Sequence, residues 1–432
     1  MNFKGKTLLL MGGGAYAQDI KRYKEQKNFK IVALGRDTNT PIAKISDAFY
    51  NVDTQNIDGV IEVVKKEKVD GIFVGSSEIN ITPAAKVAEL TGINFYVRSK
   101  QWEQLSNKAV FKSYCREYGV PVVPEFSLPE AYTYEDIEKL PFPVLLKPTD
   151  SSGARGMNAC YKAEDFEALY KEALKWSAKK EVIIEELITD ADEVFFQYTI
   201  HNGECSLTSC FTKVFAESEN KNLILPVFHM YPSKYIDEYY SNVHDGVVKL
   251  FKALNINNGV MTLQSFYKNG KFYIFEAGFR MGGAQNYILT DYQWGINSLE
   301  CMINFALTGN MNDTPIGDID NARFRHPCCN YYVGLKAGTI KKMGGVDEVR
   351  KLNGVLNVTV MCKEGEEILE TNALERICLR IHVVGETAEN LASNLVKICE
   401  TLKIVSVDDE DMLLEHLTFE RCLEAIKNTT TF

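Results

Sequence analysis

A mixed α/β chain is predicted, with an N-terminal doubly wound parallel-sheet domain ahead of a larger α+β body, on three observations. Over the first hundred residues, short apolar runs alternate with amphipathic stretches, the pattern of strand–helix–strand units in a parallel sheet. In the middle of the chain, apolar strands end on charged groups: Lys147 in one case, the pair Glu185 and Glu186 in another. Later, two aromatic-rich runs flank Asn269-Gly270, the strongest short-range signal of a hairpin.

In chain order, the first strand is expected over 6–11, where Thr7-Leu-Leu-Leu-Met11 is apolar enough for a sheet interior. Gly12-Gly13-Gly14 follows, then an amphipathic helix over 16–27, a strand over 30–34 and a helix near 57–68. A strand over 71–74 and a helix over 83–90 complete the set. Gly12-x-Gly14-x-x-Ala17 formally matches a dinucleotide fingerprint, with Asp37 about where a ribose-binding acid stands. A tight strand-to-helix turn, a substrate-facing loop and a nicotinamide site all satisfy that pattern.

Ser106-Asn107-Lys108 opens a helix expected to run to Tyr118, with Gly119 and Pro121 as its stop. Pro143-Val-Leu-Leu-Lys147 is an apolar strand whose terminal ammonium points into whatever the strand end faces. Directly after it, Ser151-Ser152-Gly153-Ala-Arg-Gly-Met157 is a small hydroxyl-bearing loop that can offer backbone N–H groups to phosphate oxygens. It is not a P-loop, because no Gly-Lys-Ser/Thr follows. A helix over about 163–179 leads to the strand 181–188, which carries Glu185 and Glu186, and Glu193 opens the next strand.

In the hairpin, Glu276, Gly278 and Arg280 share one face because strand side chains alternate. A plain two-residue turn would put Gln264 on the opposite face from Glu276. A three-residue loop over 268–270, with Gly270 left-handed, brings them together and is the expected geometry. A carboxylate, an amide and a guanidinium on one sheet face suit a metal-bound triphosphate better than a core.

Composition is that of an ordinary globular protein: 432 residues, 45% hydrophobic and 25% charged. The length allows two or three domains. A net charge of −10 provides no electrostatic footprint for nucleic acid or an anionic membrane. No run reaches membrane-spanning length, and the N-terminal residues read as a strand rather than a signal peptide. The 11 cysteines are scattered without metal-ligand spacing, which fits a reduced, cytoplasmic compartment without zinc.

From about Ser99 through Asn310 the sequence resembles the ATP-grasp superfamily. The residues carrying the likeness are Lys108, the strand ending at Lys147, the loop 151–157, the segment 185–188, Glu193 and Glu276-Ala-Gly-Phe-Arg280. The resemblance implies ATP and Mg2+ (or Mn2+) as cofactors. It implies that Lys108 and Lys147 bind phosphate oxygens, with Ser151, Ser152 and Gly153 in the covering loop. Glu185, Glu186, Leu187 and Ile188 would meet adenine, and Glu193 the ribose. Glu276 and Gln264 would hold metal. The family carries an acid where Gln264 stands and an asparagine where Gly278 stands. Segments 338–355 and 379–385 look like the closing domain of L-amino-acid ligases.

The implied organisation is a leading α/β domain over 1–98 and an ATP-grasp domain over 99–320, whose mobile lid spans about 121–189. A closing domain over 321–432 completes it. The implied activity is ATP-dependent ligation, in which a carboxylate is activated as an acyl phosphate and joined to an amine. Arg280 and Lys147 are the catalytic candidates, and Arg280, Gly282, Gly283 and His229 the substrate-binding ones, His229 having a structural reading beside it. The partners are small carboxylates and amines, and a homodimer is compatible. The alternatives are a non-catalytic or regulatory ATP-binding protein and a carboxyphosphate-forming carboxylase.

Overall fold

A computed structural model gives the architecture of residues 3–151, 155–217, 225–317, 321–371 and 374–432. The chain divides into two compact units, one of residues 1–193, 239–281 and 303–310, the other of residues 194–238, 282–302 and 311–432. The first unit opens on four parallel strands, β1 (Thr7–Leu10), β2 (Lys30–Leu34), β3 (Ala48–Tyr50) and β4 (Gly71–Phe73). Their order, β3-β2-β1-β4, reverses between β1 and β4, the switch point of a doubly wound sheet. The predicted helices are present as Ala17–Lys27, Ile57–Glu67 and Ile81–Thr91. The sequence reading missed β3, whose three half-buried residues are too few to show a period.

The glycines after β1 have a local explanation. Gly12 and Gly13 sit at φ 145° and 89°. A Cβ on Gly12 would lie 2.5 Å from the Val74 carbonyl oxygen, and one on Gly75 would lie 2.6 Å from Gly13 Cα. The turns after β1 and β4 therefore touch backbone to backbone, which only glycine allows. This gives Gly12 and Gly13 a purely local reason.

Helices Ser99–Ser106 and Lys108–Glu117 meet at Asn107, whose Oδ1 caps the second by accepting from Val110 N at 3.1 Å. A four-stranded antiparallel sheet follows, β5 (Glu125–Phe126), β6 (Val144–Pro148), β7 (Asn158–Cys160) and β8 (Val182–Glu186), ordered β5-β8-β6-β7. Phe166 of the helix Ala163–Lys175 packs with Val144, Leu146 and Ile184 to form its core.

The hairpin joins strands Gly259–Lys268 and Lys271–Gly278. Lys268 pairs directly with Lys271, so the turn has two residues, Asn269 at φ 51° and Gly270 at 74°. This corrects the expected three-residue loop. Asparagine tolerates the left-handed region, and two such residues match the twist of the strands they join. The register then slips: Ser265 opposes Ile274 but Gln264 opposes Glu276, leaving Phe275 as the extra residue of a β-bulge. Gln264 and Glu276 share a face as expected, through a bulge rather than a longer loop.

The second unit is built on antiparallel strands that neighbour one another in the order Asp192–His201, Glu204–Phe215, Pro226–Tyr231, Cys328–Gly334, Ile377–Val384 and Val355–Val360. Helices Ala388–Thr401 and Phe419–Thr429 bury Leu391, Leu395, Cys422 and Ile426 in its main core. Among the described residues, no helix is long and apolar enough to cross a membrane.

Candidate active site

In the first unit a cleft of about 440 Å³ is lined by Glu78, Trp102, Lys108, Ser151, Arg155, Phe275 and Glu276, among others. That volume suits a small-molecule site, for which about 300–1,000 Å³ is usual. Lys108 stands on the first turn of its helix, and its ammonium donates to the Ser151 carbonyl. Burial pushes its pKa below the ordinary lysine value, while Glu276 pulls it back up; Lys147 lowers it further, and Glu78 and Glu185 raise it. A larger groove, about 1000 Å³, is lined by Arg116, Glu125, Tyr132, Tyr170 and their neighbours. Among the described residues its only lining cation is Arg116, which is paired with Glu125 at 2.6 Å, so its chemistry does not suit a triphosphate.

Lys147 is almost completely buried on β6. Its ammonium lies 2.6 Å from Glu185 Oε2 on β8 and 5.7 Å from the centre of the Phe275 ring, which lines the cleft. Phe275 reaches that position because it is the bulged residue, and it stacks on Phe266 with ring centres 4.5 Å apart. The other oxygen of Glu185 accepts from the equally buried Lys112. Glu185 is thus held between two lysines.

Glu276 faces the cleft, and Gln264 Nε2 donates to its Oε2 at 2.9 Å. Gly278 leaves no room for a side chain, since a Cβ there would meet Thr262 Oγ1 at 2.8 Å, and that hydroxyl donates to the Gly278 carbonyl at 3.2 Å. Among the described residues no cluster of three or more histidine, cysteine or acidic side chains is placed to hold a metal. One carboxylate beside one amide fits a magnesium that is carried by phosphates and keeps much of its water.

Arg280 follows the hairpin and pairs with Glu78, Nε and Nη2 lying 3.3 and 3.2 Å from Oε2. Glu78 stands on the short helical turn after β4, near the carboxyl end of the parallel sheet. That is where an open α/β sheet presents ligands.

Of the remaining predicted residues, Ser152 and Gly153 lie outside the described residues. Glu186 is exposed at the end of β8, Leu187 and Ile188 are half-buried, and Glu193 is the second residue of the next strand; none of the four lines the cleft. The N–H groups of Glu186 and Leu187 donate to Pro124 and Pro143 carbonyls. Gly282, Gly283 and His229 belong to the second unit. There His229 is buried against Phe211, ring centres 4.2 Å apart, with Nδ1 3.1 Å from the Tyr332 hydroxyl, and burial holds its pKa well below the usual histidine range.

Glu78, Lys112 and Phe275 were missed in the sequence. Glu78 had a signal in its place just past a predicted strand end. Lys112 had one in its spacing of four from Lys108 on one helix face. Phe275 had none, because its role depends on the bulge. In the second unit, Arg380 donates to the Gly283 carbonyl at 2.6 Å, and His382, its pKa pushed down to about 3 by burial, shares a hydrogen bond with the Ala284 carbonyl at 3.0 Å. Both lie in the 379–385 stretch, which read only as resembling the closing domain of L-amino-acid ligases, with neither residue singled out.

A lysine-bearing antiparallel sheet beside a hairpin with an acidic face, preceded by a doubly wound domain, is the arrangement that the ATP-grasp resemblance implies. Residues 107–312 match the family described as carbamoyl-phosphate synthase L chain, ATP binding domain. The chain is 27% identical over 262 residues to the formate-dependent phosphoribosylglycinamide formyltransferase of Saccharolobus solfataricus, covering 58% of this chain and 62% of that protein, less than two thirds of its length. It is 22% identical over 319 residues to the L-arginine-specific L-amino acid ligase of Bacillus subtilis, covering 72% of this chain and 74% of the relative. Its fold matches the biotin carboxylase domain of the Hydrogenobacter thermophilus 2-oxoglutarate carboxylase, solved with MgADP, ADP and bicarbonate. The TM-score is 0.75 at 19% identity, covering 98% of this chain and 94% of that one.

Proposed function

We propose that the protein is an ATP-dependent carboxylate–amine ligase that activates a carboxylate as an acyl phosphate and passes the acyl group to an amine, releasing ADP and phosphate. The observation that carries this reading is that Lys108 and Glu276 line one cleft, with the buried Lys147 ammonium 5.7 Å from the ring of Phe275, which also lines it, on the elements where the ATP-grasp resemblance places its nucleotide. The functional division into a leading domain over 1–98, a nucleotide-binding domain over 99–320 with its lid over about 121–189, and a closing domain over 321–432 belongs to the same proposal.

Phosphoryl transfer asks the protein mainly for positioning and charge neutralisation. Lys108 and Lys147 supply two cations for the phosphate oxygens. Glu276, with Gln264 beside it, would hold a magnesium ion, which supplies further charge neutralisation on the triphosphate. Arg280 offers a planar fork matched to a carboxylate. In the absence of substrate it is paired with Glu78, so an incoming carboxylate exchanges for an internal one. The same guanidinium is then placed for the oxyanion that forms as the amine adds, where a well-aimed donor is worth ~3–4 kcal/mol.

A screen of phosphate release from ATP against carboxylates and amines, singly and in pairs, tests this. Release that needs both partners is expected. Release with bicarbonate alone would identify a carboxylase. Nucleotide binding without release would identify a binding protein, the reading that the sparse metal ligands favour.

A further inference from the structure

We infer that Lys112 is a positioning residue for the phosphate-binding Lys147, acting through Glu185; the inference rests on the nucleotide site proposed above. Lys112 is 1% exposed, so it cannot itself reach a ligand in the cleft. Its ammonium donates to Glu185 Oε1 and to the Val123 carbonyl at 3.1 Å, and it pairs in charge with Glu125 Oε1 at 3.4 Å. Arg116 in turn holds the second oxygen of Glu125 at 2.6 Å. The result is an alternating row, Arg116, Glu125, Lys112, Glu185, Lys147, with the first four charges balanced among themselves.

Burying a lysine costs a great deal unless its charge is used. The geometry shows a use. One carboxylate is shared by two ammoniums, so Glu185 is already neutralised from behind by Lys112 when it meets Lys147. Lys147 is held by an ion-paired partner yet keeps most of its positive charge for a ligand. Without Lys112, both oxygens of Glu185 would be left to Lys147, which would be held back and largely neutralised. The two lysines reach Glu185 from different elements, the helix Lys108–Glu117 and β6. Lys108 begins that same helix, so one helix sets both phosphate-binding lysines: Lys108 directly and Lys147 through Lys112.

The test compares ATP affinity by titration calorimetry with thermal stability, in the wild type, Lys112→Met and Lys112→Arg. The Met variant should bind ATP at least about tenfold more weakly, beyond anything its melting temperature accounts for. The Arg variant, which keeps a cation on Glu185, should stay within about threefold of the wild type. If Lys112→Met does not fold, the Arg variant against the wild type carries the comparison, and loss of ATP binding in a folded Lys112→Arg overturns the inference. Wild-type affinity in a folded Lys112→Met, or a folded Lys112→Arg no better than the Met variant, overturns it while leaving the nucleotide site standing. Failure of the wild type itself to bind ATP overturns the nucleotide site and the inference with it.

Discussion

At the scale of single residues, the arrangement around Glu185 separates what Lys147 does for the fold from what it does for a ligand. Lys147→Ala leaves Glu185 still paired with Lys112, so the buried carboxylate keeps a cation and the fold should survive. ATP binding should weaken by about ten- to a hundredfold, the worth of one hydrogen bond to a charged group. Calorimetric titration beside an unchanged circular dichroism spectrum checks this, and unchanged affinity would place Lys147 outside the site.

Lys108 makes a prediction about protons. Burial lowers its pKa from 10.5 in the free protein, and phosphate oxygens would raise it again. Between those two values the free protein has lost the proton and the complex holds it. ATP binding should therefore take up a proton as pH rises into that window, and none from this group well below it. Titrations in two buffers of different ionisation heat measure the uptake, and Lys108→Met should abolish it. Uptake that persists in the variant assigns the proton to another group.

At the scale of elements, the hairpin shows what sequence reading can and cannot reach. That Gln264 and Glu276 share a face was legible, because an acid, an amide and a guanidinium in that pattern make no sense as core. How they come to share it was not. Asn269-Gly270 has the ideal chemistry for a two-residue turn, and the structure uses it as such. The parity is corrected five residues away at Phe275, by packing that no local signal announces. The charge row from the exposed Arg116 to the buried Lys147 was hidden for a similar reason. Its members lie on helix Lys108–Glu117, β5, β6 and β8, and only tertiary structure brings those together. By contrast, the parallel sheet with its covering helices and the cap at Asn107 were legible, since each follows from periodicity or local hydrogen bonding.

The bulge also sets a test for the pair it aligns. Gln264→Glu would replace the amide that donates to Glu276 with a second carboxylate. Without metal the two acids repel, and the melting temperature should fall by about 2–4 °C. Magnesium with ATP should more than recover the loss, because a hard cation prefers anionic oxygen. Turnover need not rise, since tighter ground-state binding does not lower a barrier. A variant whose stability is indifferent to magnesium and ATP would remove Gln264 and Glu276 from the metal site.

At the scale of the whole molecule, the chain carries a doubly wound sheet, a stretch over 107–312 that matches the carbamoyl-phosphate synthase ATP-binding family, and a second compact unit rich in buried polar groups. The doubly wound sheet was legible from its alternating hydrophobic periods, whereas the interleaved division of the chain into two units was not. The substrates were not, because substrate pockets are set by a few side chains contributed from distant segments. Glu78, which meets Arg280 across 202 positions of sequence, shows how far apart such side chains can lie. The central claim is that a carboxylate oxygen attacks the terminal phosphate of ATP before any amine adds. Once the screen has supplied a substrate pair, the direct measurement uses that carboxylate with both oxygens isotopically labelled and follows the label by mass spectrometry. Transfer of one labelled oxygen into the released phosphate, with the other retained in the product, is the expected result. Phosphate free of label, with both oxygens retained in the carboxylate or its product, would contradict the acyl-phosphate route and with it the ligase assignment.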